Sequence, residues 1–253
     1  MKILWLLLAL VLLGACVQAP PAGDANNEGS SARNRARVHT ELASAYYGAG
    51  QYNVALEEVR IALEAERDYL PAVNQLGLIY LALGRTEDAE RELRRAVRID
   101  PEDPSVNNNY GMLLCSVGDA PEAMRYFNKA LSNPLYRTPE FAYVNAGVCL
   151  KNTGDYAGAE EFLGRAVALA PELPQALYHM ADVKFKTGDL ASARTYITRH
   201  LQLVAPGPDA LWLAARIEKK LGDRAALESY GAQLNRRFPD APQTRAFNRG
   251  VFE

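Results

Sequence analysis

Three histidines, three cysteines and a row of three asparagines are the residues of this chain whose chemistry has to be asked about first. His39, His179 and His200 stand far apart with no ligand spacing between them. The chain carries no CxxC, no HExxH, no Gly-rich phosphate loop and no GxSxG. Hydrolytic, metal and phosphate chemistry therefore have no local signature, and no enzyme activity, cofactor, metal or small-molecule substrate is expected. His200 reads as a packing position. Lys+Arg 28 against Asp+Glu 30 gives a formal net charge of -2, which argues against nucleic acid as a partner. What remains is thiol chemistry at Cys115 and Cys149 and amide hydrogen bonding by Asn107, Asn108 and Asn109. Asparagine is a poor helix former that prefers caps and turns, so three in a row need an explanation.

The third cysteine, Cys16, ends a different pattern. Lys2 is followed by an apolar run from Ile3 to Leu13 and then by small residues. This is a secretory signal pattern, too short for an ordinary membrane span. Leu13-Gly14-Ala15-Cys16 resembles the lipobox of bacterial lipoproteins. The resemblance implies cleavage after residue 15, lipidation of Cys16 and stable anchoring by several acyl chains. The absence of aspartate after Cys16, where Val17 stands, favours the outer membrane. Val17 to Ala32 is rich in Pro, Gly, Asn and Ser, so residues 16–35 are expected to form a flexible tether.

The rest of the chain is periodic. Leu42-Ala43-Ser44-Ala45-Tyr46, Leu76-Gly77-Leu78-Ile79-Tyr80 and Tyr110-Gly111-Met112-Leu113-Leu114 recur at 34 residues, each followed by small residues: Ala55 and Ala62, Ala89 and Ala96, Ala123 and Ala130. This period resembles the tetratricopeptide repeat, a helix-turn-helix unit. The expectation is an all-α superhelix of six repeats over 36–69, 70–103, 104–137, 140–173, 174–207 and 208–241, with a tail over 242–253. Small residues let the two helices of a repeat approach, and Leu93, Phe127 and Leu163 fill the gaps. The sixth repeat is atypical: Glu218, Leu227 and Gly231 replace the usual aromatic, Ala and aromatic, as in a terminal cap. The period stretches to 36 once, at "NPLYRTPE".

Stacked repeats of this kind line a concave face with their first helices. The family frame places Asn74 and Leu78, Asn108, Met112 and Ser116, Val144, Val148 and Asn152 there. Tyr178, Asp182 and Phe185, then Trp212, Arg216 and Lys219, continue the face. Amide and apolar side chains together suit an extended peptide or a partner helix. Asn108 is expected to face the groove and to offer donor and acceptor to a peptide backbone, with Asn107 and Asn109 less exposed and available to bond neighbouring repeats. The alternative is capping near a helix start. Cys115 and Cys149 fall on adjacent first helices and would meet across them in an oxidising compartment, or stay as two buried thiols.

Taken together, the lipobox at Cys16, the six-repeat length, "NNNYGMLLC", the corner "NPLYRTPEFAYVNAGVCL" and the weak sixth repeat resemble the PilF/PilW lipoproteins of type IV pilus assembly. The resemblance implies a periplasm-facing, lipid-anchored outer-membrane scaffold. Its pilotin-like role would be to assist the secretin or to stabilise pili. Alternatives are a repeat lipoprotein of outer-membrane protein assembly, against which the regular spacing and the corner argue, and an adaptor for peptidoglycan enzymes.

Overall fold

Pro20 and Pro21 are the last prolines before Pro71, so residues 25–48 contain no helix breaker except the single Gly29 and Gly48 at the end. The computed structural model describes residues 25–252, and among them it has thirteen α-helices and no strand. The helices are α1 (Ala25–Gly48), α2 (Tyr52–Ala65), α3 (Leu70–Ala82), α4 (Thr86–Ile99), α5 (Pro104–Ser116), α6 (Ala120–Ser132) and α7 (Pro139–Asn152). They continue as α8 (Tyr156–Leu169), α9 (Pro174–Thr187), α10 (Leu190–Leu203), α11 (Pro208–Leu221), α12 (Arg224–Arg237) and α13 (Pro242–Asn248).

The tether expected over residues 16–35 therefore gives way to helix at Ala25. The helix is held on α2 and the turn after it: Arg33 reaches Glu66 Oε1 at 3.3 Å and lies over the Tyr69 ring, and Ala36 is fully buried. Composition suggested a coil, but tertiary contact decides the outcome for such a segment. The signal segment and Cys16 lie outside the described residues.

Helix starts follow local chemistry. Proline occupies the first turn of α3, α5, α6, α7, α9, α11 and α13, where its missing N–H costs nothing. The Asp119, Asp155, Asp189 and Asp223 side chains accept the N–H of Glu122, Gly158, Ser192 and Ala226, capping α6, α8, α10 and α12. Gly188 and Gly222 end α9 and α11 in the left-handed conformation, at φ 86° and 79°.

Each odd-numbered helix from α1 to α11 pairs with the helix after it. The odd helices also touch one another in series, α1 to α3 and onward to α11, whereas among the described residues no two of α2, α4, α6, α8, α10 and α12 touch. A stack that is closed on one side and open on the other must curve, so the odd helices line the concave face.

A repeated knob holds each pair. Leu93, Phe127, Leu163 and Ile197 are fully buried. The first three press on Gly77, Gly111 and Gly147 of the preceding odd helix. A Cβ added at those glycines would fall 2.5 Å from Leu93 Cγ, 2.9 Å from Phe127 Cε1 and 2.6 Å from Leu163 Cγ. The sequence reaches the same register at Gly231, which offers no knob. The gap is filled from outside the repeat, by Phe247 of α13, whose ring occupies the place where a Gly231 Cβ would be. Residues 242–252 thus form a packed cap rather than a tail, and Thr244 is buried with its hydroxyl donating to Phe238 O at 2.6 Å. Glu218, the other atypical residue, is buried and receives Arg194 Nε at 2.9 Å and Arg194 Nη2, which ties α10 to α11.

The stretched corner is absorbed locally. Residues 133–138 loop outward with Leu135 83% exposed. Asn133 Oδ1 accepts the Leu135 N–H at 2.9 Å, and α7 still packs on α5.

Candidate partner-binding groove

The odd helices bring most of the sequence-predicted residues to one face, but not all to its surface. Asn74 and Leu78 on α3, Met112 on α5, Val148 on α7, and Tyr178 and Asp182 on α9 are half-buried. Trp212 and Arg216 on α11 share that state. Ser116, Asn152 and Lys219 are exposed. Asn108, Val144 and Phe185 are buried. Val144 packs with Ala166 and Ala176 in the core, and its fifth position in the repeat, one turn nearer the helix start than Val148, turns it into the stack.

The asparagine row has a structural answer. Asn107 Nδ2 donates to Pro101 O at 2.8 Å and Asp103 O at 2.7 Å, closing the turn that enters α5. Asn108 is 6% exposed, so its amide is not an open peptide-binding group. It is the middle of a ladder that crosses three helices. Asn145 Nδ2 donates to Asn108 Oδ1 at 3.0 Å, Asn108 Nδ2 to Asn109 Oδ1 at 3.1 Å, and Asn109 Nδ2 to Asn74 Oδ1 at 3.1 Å. The expectation that Asn108 faces a ligand is corrected accordingly. Asn109 bonds the neighbouring repeat, as the sequence reading expects, whereas Asn145 was missed, although amides recur near the same register of repeats two, three and four. The ladder fixes α3, α5 and α7 against each other, because each internal amide both donates and accepts. Asn74, at its end, keeps its own Nδ2 for the groove.

Cys115 and Cys149 are bonded to each other, with Cα atoms 5.7 Å apart. Together with the Asn145–Asn108 rung, the bridge pins α7 to α5 beside the stretched corner.

Farther along, the face becomes polar. Lys151 Nζ lies 2.7 Å from Asp182 Oδ2, an ion pair across α7 and α9 whose side chains are 15% and 18% exposed. Asp182 is therefore already neutralised by Lys151, which the sequence reading did not single out. His179 Nδ1 is 3.4 Å from the same ammonium. Burial first, and then the Lys151 charge, lower the His179 pKa to about 4. Burial and Asp182 raise the Tyr178 pKa to about 12. Both rings are neutral near pH 7, so the middle of the groove presents apolar and amide groups with no net charge.

Among the described residues no group of three or more His, Cys, Asp or Glu side chains converges as a metal site, and no helix is long and apolar enough to cross a membrane.

Tetratricopeptide-repeat family models match residues 40–104, 74–138 and 153–217. The crystal structure of PilW, described as a widely conserved type IV pilus biogenesis factor, superimposes with a TM-score of 0.75 at 32% identity. It covers 83% of this chain and 97% of that one. A structure of Pseudomonas aeruginosa PilF gives a TM-score of 0.73 at 26% identity, covering 88% of this chain and 99% of that one. In sequence, the type IV pilus assembly protein PilF of that bacterium is 28% identical over 182 residues, 71% of each chain. An uncharacterized Haemophilus influenzae protein is 29% identical over 114 residues, which span 45% of this chain and 64% of that relative. With repeat models along most of its helices and a 32% identical relative covered almost end to end, this chain belongs to the PilF/PilW family of tetratricopeptide-repeat proteins.

Proposed function

We propose that this chain is a lipid-anchored scaffold of the outer membrane. In this reading it docks the secretin of a type IV pilus machine along its concave face, as an aid to secretin assembly or pilus stability. The observation that carries the reading is the likeness to PilW, a pilus biogenesis factor, over 97% of that chain. The groove supports it. Leu78, Met112 and Val148 form a half-buried apolar strip along α3, α5 and α7, flanked by the Asn74 amide. That combination takes an extended segment or one face of a helix. A protein whose working surface is a groove of this kind acts by holding a partner, without chemistry of its own. The Cys115–Cys149 bridge fits an oxidising compartment, and Cys16 would supply the anchor.

A deletion strain tests the reading. Loss of twitching motility is expected, with secretin left unassembled and the general outer-membrane protein profile unchanged. Complementation should succeed with the wild-type chain and fail with Cys16→Ala. Normal motility, or a broad loss of outer-membrane proteins, would contradict the proposal, and the second outcome would favour the assembly-lipoprotein alternative.

A further inference from the structure

The C-terminal end of the concave face has a different chemistry from its middle. Phe185 and Lys186 of α9, Arg216 and Lys220 of α11, and Gly250, Val251 and Phe252 of the chain end surround an open cleft of about 660 Å³. Three of these residues are cations and none is acidic. Three cations of the neighbouring helices are matched: Lys151 by Asp182, Lys184 by Glu160, Arg194 by Glu218. Among the described residues no carboxylate within 4.0 Å pairs with Lys186, Arg216, Lys219 or Lys220.

The cations are held in place by aromatic rings. The Arg216 guanidinium lies 4.6 Å from the Phe185 ring centre, and Lys220 Nζ 5.3 Å from it. Lys219 Nζ is 5.5 Å from the Phe252 ring. Phe252 is stacked on Trp212 at 5.2 Å, and its carbonyl accepts Arg216 Nε at 3.3 Å. A ring face attracts a cation without cancelling its charge, and Arg216 bonds the Phe252 carbonyl through Nε alone, which leaves its two outer guanidinium nitrogens without a hydrogen bond among the described residues. The charges are spread over two helices, and the chain end adds an apolar wall in which Val251 is 51% exposed.

We propose that this cleft is a second docking site, one that takes an acidic polypeptide segment carrying an apolar or aromatic side chain. Several separated cations match several carboxylates along a chain better than they match one phosphate, and the Val251–Phe252 wall receives the apolar side chain. Charge complementarity of this kind raises the encounter rate and fixes register. The site does not depend on the secretin assignment, because its ligand is defined by charge.

The test is calorimetric titration of the purified mature protein with the peptide Gly-Asp-Glu-Phe-Asp-Glu-Asp-Gly. Its Lys-substituted counterpart, its Phe→Ala version and glycerol 3-phosphate, the soluble headgroup of an anionic lipid, are run beside it. The acidic peptide should bind and the basic one should not. Affinity should fall about tenfold or more in Lys186→Glu/Lys220→Glu, two exposed positions, with an unchanged melting temperature. It should stay unchanged in Leu78→Glu, which separates this site from the mid-groove. Equal affinity of the double variant, equal binding of the basic peptide, or displacement by glycerol 3-phosphate at comparable concentration would each overturn the proposal.

Discussion

Phe247→Ala is expected to lower stability by about 3 kcal/mol, the low end of the range for a truncated phenylalanine because the ring is half-buried. The reason is the missing knob. At the register where Val59, Leu93, Phe127, Leu163 and Ile197 fill the other pairs, the sixth pair has Gly231, and the Phe247 ring takes the vacant volume. Phe247 also meets Phe252 edge-on at 5.6 Å, and Phe252 stacks on Trp212, so its loss unseats the chain end as well. Gly231→Leu alone should destabilise, because the new side chain and the ring compete for one space. Placed on Phe247→Ala, it should restore part of the stability, since α12 then carries its own knob. A favourable coupling of about 1 kcal/mol or more in the double-mutant cycle is expected from urea unfolding. Simple additivity would show that Phe247 does not stand in for the knob.

This contact also shows where the sequence stopped being readable. The period of 34 and the small residues are local signals that recur along the chain, with glycine at three of the close approaches, and repetition made the fold class legible. Gly231 was visible as a departure, but its filler comes from a short helix outside the repeat, with no periodic mark of its own. The start of α1 was misread for the opposite reason. Residues 25–35 look like coil in composition and are helical because Arg33 and Ala36 find partners on the next helix and its turn. Repeat position placed most of the singled-out residues on the concave side. It did not distinguish a residue on the surface from one turned between helices, so Asn108 and Val144 were read as open although both are 6% exposed. The ladder required knowing which neighbours an amide meets, and Asn145 lies beyond the stretched corner, 37 residues from Asn108.

Loss of the Cys115–Cys149 bridge carries the other large effect. The bonded residues are 34 apart in sequence, and closing a loop of that size in the unfolded chain is worth roughly 3–4 kcal/mol on the chain-entropy account. For a domain of this size that corresponds to a fall in melting temperature on the order of 10 °C. Cys115→Ala/Cys149→Ala, or dithiothreitol on the wild-type chain, should produce it to a similar extent, and reductant should add nothing to the double variant. Unreduced, denatured mature protein should show no reactive thiol. Two reactive thiols, or a melting temperature indifferent to reductant, would remove the bridge from the account. The fall should exceed what the neighbouring Asn145–Asn108 rung alone contributes, since a single hydrogen bond is worth about 0.5–1.5 kcal/mol.

The most direct measurement of the central claim is the affinity of detergent-solubilised secretin for the purified mature chain and for Leu78→Glu/Val148→Glu. These side chains are half-buried on the concave face, and a carboxylate there meets whatever apolar surface the partner brings. If the groove docks the secretin, the double variant binds at least about tenfold more weakly, the equivalent of ~1.4 kcal/mol, while its melting temperature stays close to wild type. Asn108→Ala gives the opposite pattern. It strips the acceptor from the Asn145 amide, costs about 1–3 kcal/mol of stability and leaves binding nearly intact wherever the protein is folded. Wild-type affinity in Leu78→Glu/Val148→Glu, with both charges in place on a folded chain, would contradict the assignment of this face as the docking surface.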